Sequence, residues 1–141
     1  MRVMVMVPGN KDSEAGVMPD AKILTEMGKF NEELVKAGVM LAGEGLRPTS
    51  HARKVKFTGS TPTVIDGPFT ESKEIVAGFW IWQVRSMDEA VAWLKKAPFG
   101  GGVEVEIRPI FEMEDFAAAM PKDLADSEQR FREKSGLAEK K

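Results

Sequence analysis

The stretch VAGFWIWQV, residues 76–84, carries a large apolar side chain at most of its positions. In an extended strand successive side chains point to opposite faces, so Phe79 and Ile81 share one face while Trp80, Trp82 and Val84 share the other. Both faces need cover. Such a strand belongs inside a sheet, with helices shielding one face and something else shielding the other.

The rest of the chain supplies the partners. Arg2 to Val7 is a short run rich in valine and methionine, closed by Pro8-Gly9, and reads as a buried strand. GNKDSEAGVMP reads as a polar loop. Asp20 then suits a helix N-cap, with Ile23, Leu24, Met27, Phe30 and Leu34 on one stripe, Glu32 and Lys36 paired on the outside and Gly38 as the stop. VMLAGEGL is a second strand, in which Gly43 and Gly45 suggest a bulge or a close backbone approach. KVKF and TVI, separated by turn chemistry from Thr58 to Pro62, form a hairpin. After residue 84, Ser86 and Glu89 fit a capping box ahead of an amphipathic helix that Pro98 and Gly100 to Gly102 end. VEVEIRPIF is the last strand, and EMEDFAAAM reads as a short helix.

Leaving out the hairpin, the order is strand–helix–strand–strand–helix–strand. That order predicts an α+β fold of ferredoxin-like plan: one antiparallel sheet, both helices on a single face, and an inserted β-hairpin. In the last strand Val103, Val105 and Ile107 share a face, whereas Glu104, Glu106 and Arg108 share the other. If the apolar set meets the helices, the charged set borders the open face. A homodimer with its sheets face to face would cover that face and enclose a cavity lined by aromatic and charged groups. The hairpin or the C-terminal tail folding over the sheet of a monomer is the alternative.

At 141 residues the chain fits one compact core. Residues 1–112 are read as the domain and 113–141, highly charged after Pro121, as a helical extension or tail. A net charge of −2 argues against nucleic acid as the main partner, since phosphate binding wants a basic excess. With no cysteine there is no thiolate nucleophile and no Cys-based metal site. One histidine makes a metal site a poor expectation, and no motif calls for a cofactor. No export signal and no bilayer-length apolar run stand out, so the expected setting is the cytoplasm, away from membranes.

The residues VIDGPFTESKE, followed by AGFWIWQVRSMDEAVAWLKKAPF and VEVEIRPI, resemble the DGPF-domain branch of the YCII-related family over about residues 1–112. The resemblance implies a ferredoxin-like subunit in a dimeric α+β barrel. It implies no particular activity. Some members of the branch lie beside, or are fused to, extracytoplasmic-function sigma factors, which implies a link to transcriptional regulation. The wider group has a proposed His–Asp pair; here His51 lies outside the DGPF signature.

Two readings meet at Asp66. As an Asx-type turn residue its carboxylate caps nearby amides while Gly67 takes the sharp bend. At a cavity mouth it would serve as a general base or ligand acceptor, the catalytic assignment made here. Glu44, His51, Glu71, Lys73 and Arg108 are the candidate ligand-binding residues around it. Lys73 suits an anion, and the guanidinium of Arg108 suits a carboxylate. The plainer readings are a solvated turn for Glu71, Lys73 and Glu74, a surface position for His51, an edge position for Glu44, and a salt bridge from Arg108 to Glu104 or Glu106. Two functions follow: binding of a small organic molecule, with acid–base chemistry at Asp66, or a non-catalytic regulatory module that binds another protein. Whether the chain is an enzyme stays open at this level.

Overall fold

In the computed structural model the described residues are 1–70 and 74–137. Four antiparallel strands, β1 (Arg2–Pro8), β2 (Met40–Gly45), β5 (Val76–Gln83) and β6 (Glu106–Pro109), lie in the order β2-β5-β1-β6. Helices α2 (Ala21–Lys36) and α3 (Met87–Leu94) connect them, and β3 (Arg53–Lys56) with β4 (Thr63–Asp66) forms a separate two-stranded hairpin. This is the ferredoxin-like α+β arrangement, with the hairpin inserted between β2 and β5. The described residues also include a four-residue helix α1 (Lys11–Glu14), a 14-residue helix α4 (Lys122–Ser135) and 3₁₀ turns at Thr49–His51 and Met113–Phe116.

The ends of α2 follow from local chemistry. Asp20 accepts a hydrogen bond from the Ile23 amide at 2.9 Å. Gly38, at φ 71°, lets the Val39 amide reach back to Leu34 O at 2.9 Å and closes the helix. The helix buries Phe30 and Leu34 against Val3, Val5, Trp80 and Trp82 of the sheet, and Ala90 of α3 joins the same core. Each fully buried side chain of this size stabilises by roughly 1.5–3 kcal/mol. The tryptophans therefore face the helices. Phe30 meets both edge-on, at 5.9 and 6.3 Å between ring centres, and Trp80 Nε1 donates to Asn31 Oδ1 at 2.8 Å. Gly43 is required by this packing: a Cβ there would lie 2.7 Å from Trp80 Cδ1 and from Met40 Cε.

The opposite face is built from two rows set by the strand register. One row runs Glu44, Phe79, Met6, Glu106, and the next Ala42, Ile81, Met4, Arg108. The apolar members of both rows are half-buried, and Glu44, Glu106 and Arg108 are exposed. Arg2 alternates to this face as well, but it is buried, held by Glu112 from the segment after β6. The chain beyond the last strand thus returns over one end of the sheet.

Four local expectations are corrected. The polar segment after β1 contains the helical turn α1, because Asn10 and Ser13 satisfy each other's backbone amides at 2.9 and 2.8 Å. The last strand is shorter than VEVEIRPIF: Pro8 has no N–H to extend the ladder and the β1–β5 register shifts at Val7/Pro8, so β6 pairs only opposite Val3–Met6. EMEDFAAAM forms a 3₁₀ turn over Met113–Phe116 rather than a longer helix. Ser86 does cap α3, accepting from the Glu89 amide at 3.1 Å, but Glu89 reaches past the expected amide to that of Arg85 at 2.7 Å.

Candidate functional site

The hairpin joins the domain through the DGPF turn, and its base is tied down tightly. The Gly67 amide donates to Ala52 O at 2.9 Å. A Cβ on Gly67 would sit 1.8 Å from Thr49 O, so no residue with a side chain fits this approach. Thr49 is the hub. Its hydroxyl donates to Glu14 Oε2, its amide donates to Glu14 Oε1 at 3.1 Å, and its Oγ1 accepts from the Phe69 amide at 3.0 Å. One carboxylate from α1 therefore fixes the 49–51 turn, and the turn fixes DGPF. The Gly67–Pro68 peptide is cis.

Against this base lies a cleft of about 490 Å³. Phe69, Pro68, Ile75 and Val76 give it an apolar floor, while Lys54, Asp66, Glu74 and Thr49 supply polar groups. Lys54 Nζ stands 4.1 Å from the centre of the Phe69 ring, an ammonium over an aromatic face. Asp66 Oδ1 accepts from Arg53 Nε at 2.9 Å, with both side chains about three-quarters exposed (77% and 74%). At that exposure the pair holds orientation more than it adds stability.

The sequence-derived residues fall into separate places. Asp66 lines the cleft, and its carboxylate accepts from Arg53. His51 is exposed in the 49–51 turn, at the base of the hairpin. Glu44 and Arg108 are on the sheet face opposite the helices, at the two edges, and Arg108 Nε lies 3.8 Å from Glu106 Oε2. Neither lines the cleft. Glu71 and Lys73 lie outside the described residues. The groups missed from sequence are Glu14, Thr49 and Lys54. Glu14 and Thr49 meet across 35 positions and left no local signal, whereas Lys54 was legible only as one side of an alternating strand. Among the described residues no group of three or more His, Asp and Glu side chains is placed to hold a metal ion, and no helix is long and apolar enough to cross a membrane.

A second hollow of about 540 Å³ lies between α3 and β6, lined by Met87, Val91, Leu94, Phe99 and Val105 with Lys95 as its charged group. It contains none of the sequence-derived site residues.

The match of a family model to residues 1–114, described as the YCII-related domain, spans the sheet, both connecting helices, the hairpin and the cleft. The chain belongs to the YCII-related family. A relative within reach of direct alignment is an uncharacterised protein of Rhizobium meliloti (strain 1021), 30% identical to this YCII-related chain over 95 residues, which span 64% of the chain and 75% of the relative. Among solved structures, 5-chloro-2-hydroxyhydroquinone dehydrochlorinase of Burkholderia phenoliruptrix AC1100, in complex with 2,5-dihydroxybenzoquinone, is similar at a TM-score of 0.40 and 17% identity. That similarity covers 81% of this YCII-related chain and 98% of the dehydrochlorinase.

Proposed function

We propose that this YCII-related protein binds a small organic molecule in the cleft beside the DGPF turn, and that the binding unit is a homodimer. The cleft carries the reading. Its apolar floor and few convergent polar groups have the make-up of a small-molecule site, and its walls are held in place by the Glu14–Thr49–Phe69 network. The ligand lays an apolar or aromatic body on Phe69 and Pro68 and presents an anionic group to Lys54. Asp66, oriented by Arg53, accepts a hydrogen bond from the ligand and is the group available to take a proton from it. The Asp66-Gly67-Pro68-Phe69 signature supports assignment to the DGPF branch. The homodimer is supported by the half-buried apolar rows of the sheet and by a hairpin whose apolar side chains remain exposed.

A thermal-shift screen against small carboxylates and aromatics tests the binding. A ligand at about a hundred times its dissociation constant stabilises by about 2.7 kcal/mol. The expected hit shifts wild-type melting and loses its effect in Lys54→Ala and Asp66→Asn variants that melt like wild type without ligand. A hit that stabilises both variants as it does wild type would place the ligand elsewhere and sink the cleft reading. The rival role, a non-catalytic module that binds another protein, is favoured by the exposed Leu124 and Phe131 on α4, one side of a helix seven residues apart.

A further inference from the structure

The hollow between α3 and β6 shares no lining residue with the cleft. It is a trench with two distinct ends. Met87 lies on the first turn of α3 and Lys95 just past its last, about 12 Å apart at 1.5 Å per residue. The connection from α3 to β6 closes the Lys95 end, where Phe99 and Gly100 line it. Val91 and Leu94 form the helix wall, and Val105 and Ile107 form the strand wall. Val91 is 38% exposed, so water reaches these apolar sides.

The strand wall has an open backbone edge. β6 ends the sheet, and among the described strands only β1 pairs with it. The Ile110 amide donates to Arg2 O at 2.9 Å, so in this antiparallel ladder Arg108 and Glu106 also turn their backbone groups to β1, and Ile107 turns its N–H and C=O outward. Val103, Val105 and Ile107 line the trench while Glu104 and Glu106 do not, the alternation of an extended chain. The edge therefore runs on, extended and unpaired, ahead of Glu106. Pro109, without an N–H, blunts it at the far end only.

An open edge beside an apolar trench is what an added strand completes: its main chain pairs with the edge, and alternate side chains enter the trench. Lys95 is the one charged group in the lining, and among the described residues no carboxylate pairs with it. A strand antiparallel to β6 brings its C-terminus to the Lys95 end. We infer that the α3–β6 trench docks the C-terminus of another protein, whose last few residues pair with β6 at Val105 and Ile107. The final apolar side chain and the one two residues before it enter the trench, and the terminal carboxylate meets Lys95 Nζ. About 12 Å of trench holds roughly four extended residues at 3.3 Å each. A free fatty acid offers the same tail and charge but leaves the strand edge unpaired, so the edge favours the peptide. The inference rests neither on the cleft nor on the homodimer.

An array of decapeptides with free C-termini, randomised over the last four positions and probed with the full chain, tests it. Bound peptides are then measured in solution by fluorescence anisotropy. The expected peptides end in Val, Leu or Ile. Replacing the terminal carboxylate by an amide should weaken them about tenfold or more, the scale of one lost charge-assisted hydrogen bond. Lys95→Glu and Val91→Arg in the protein should do the same. Both positions are exposed, and an unchanged circular dichroism spectrum checks that the variants fold. N-methylating the last two peptide amides in turn, one of which must face the edge, should abolish binding in at least one case. An array with no peptide bound above its amidated controls overturns the inference, as does binding indifferent to both protein variants. Sodium decanoate that binds wild type but not Val91→Arg, where no peptide binds, would make the trench a site for apolar anions and overturn the peptide.

Discussion

Arg2 and Glu112 meet across 110 positions of sequence in a two-point ion pair, Nε to Oε1 at 2.8 Å and Nη2 to Oε2 at 3.0 Å. Arg2 begins the first strand and Glu112 follows the last, so the pair pins the chain beyond β6 over the sheet. Their side chains are only 8% and 22% exposed, which leaves little water to replace a lost partner. Glu112→Ala is expected to destabilise by about 3 kcal/mol, because it strands a buried guanidinium. Arg2→Met with Glu112→Leu should cost less than the single change, since neither charge is then left behind. Urea unfolding of the three proteins checks the order; a double variant weaker than Glu112→Ala would contradict it.

Gly67→Ala is expected to disrupt the root of the hairpin. The added carbon would lie 1.8 Å from Thr49 O, an overlap with backbone that no rotamer relieves. A loss of about 3 kcal/mol or more is predicted in chemical denaturation. Gly45→Ala is the control, as a Cβ there meets nothing within 4 Å, and it should change stability by about 1 kcal/mol or less.

Thr49→Val keeps the shape of residue 49 and removes the hydroxyl that links Glu14 to the Phe69 amide. The expected cost is about 1–3 kcal/mol, the penalty for leaving partly buried groups without partners. Amide exchange gives the sharper readout: the Phe69 amide should exchange faster in the variant while the core strands β1 and β5 keep their protection. Unchanged Phe69 exchange would remove Thr49 as the hub of the site.

Glu89 predicts a pH effect. The Arg85 amide, the largest cause, holds its carboxyl below the ordinary value of 4.5; burial opposes it, and the Arg85 guanidinium adds to the lowering. A carboxyl whose folded pKa is lowered stabilises fully above its unfolded pKa and loses that stability as pH falls through the folded one. Glu89→Gln should therefore be less stable than wild type at pH 6, with the gap closing below about pH 4.5. Thermal melts from pH 6 to pH 3 measure it, and a gap that stays constant over that range would refute the assignment.

The elements that could be read from sequence are those encoded within a turn or two of chain. Asp20 and Ser86 announced their helices because a cap acts on the amide three residues ahead. VAGFWIWQV announced a strand with Trp80 and Trp82 on one face and Phe79 and Ile81 on the other, and the alternation of residues 103–108 separated Ile107 from Glu106 and Arg108, because a strand reverses its side chains at every residue. Gly43 marked β2 as a place of close approach, whereas Gly45 has open space where its Cβ would lie. The ferredoxin-like order follows from these local signals and the short connections between them.

Other relationships arise only when distant segments pack. Local alternation grouped Trp80 with Trp82, but only Phe30 and Leu34 arriving from α2 decided that this pair, and not Phe79 with Ile81, would face the helices. Glu14 looked like one charge among several in a polar loop until the fold brought Thr49 to it. Asp66 was legible as a turn residue or an acceptor, but its partner, Arg53, came from the other strand of the hairpin. The reason is physical: periodicity and capping report the backbone a residue prefers, over distances of a few positions. A cleft, an ion pair across the whole domain and an exposed hairpin are relations between surfaces, and they exist only once the chain has collapsed around its core.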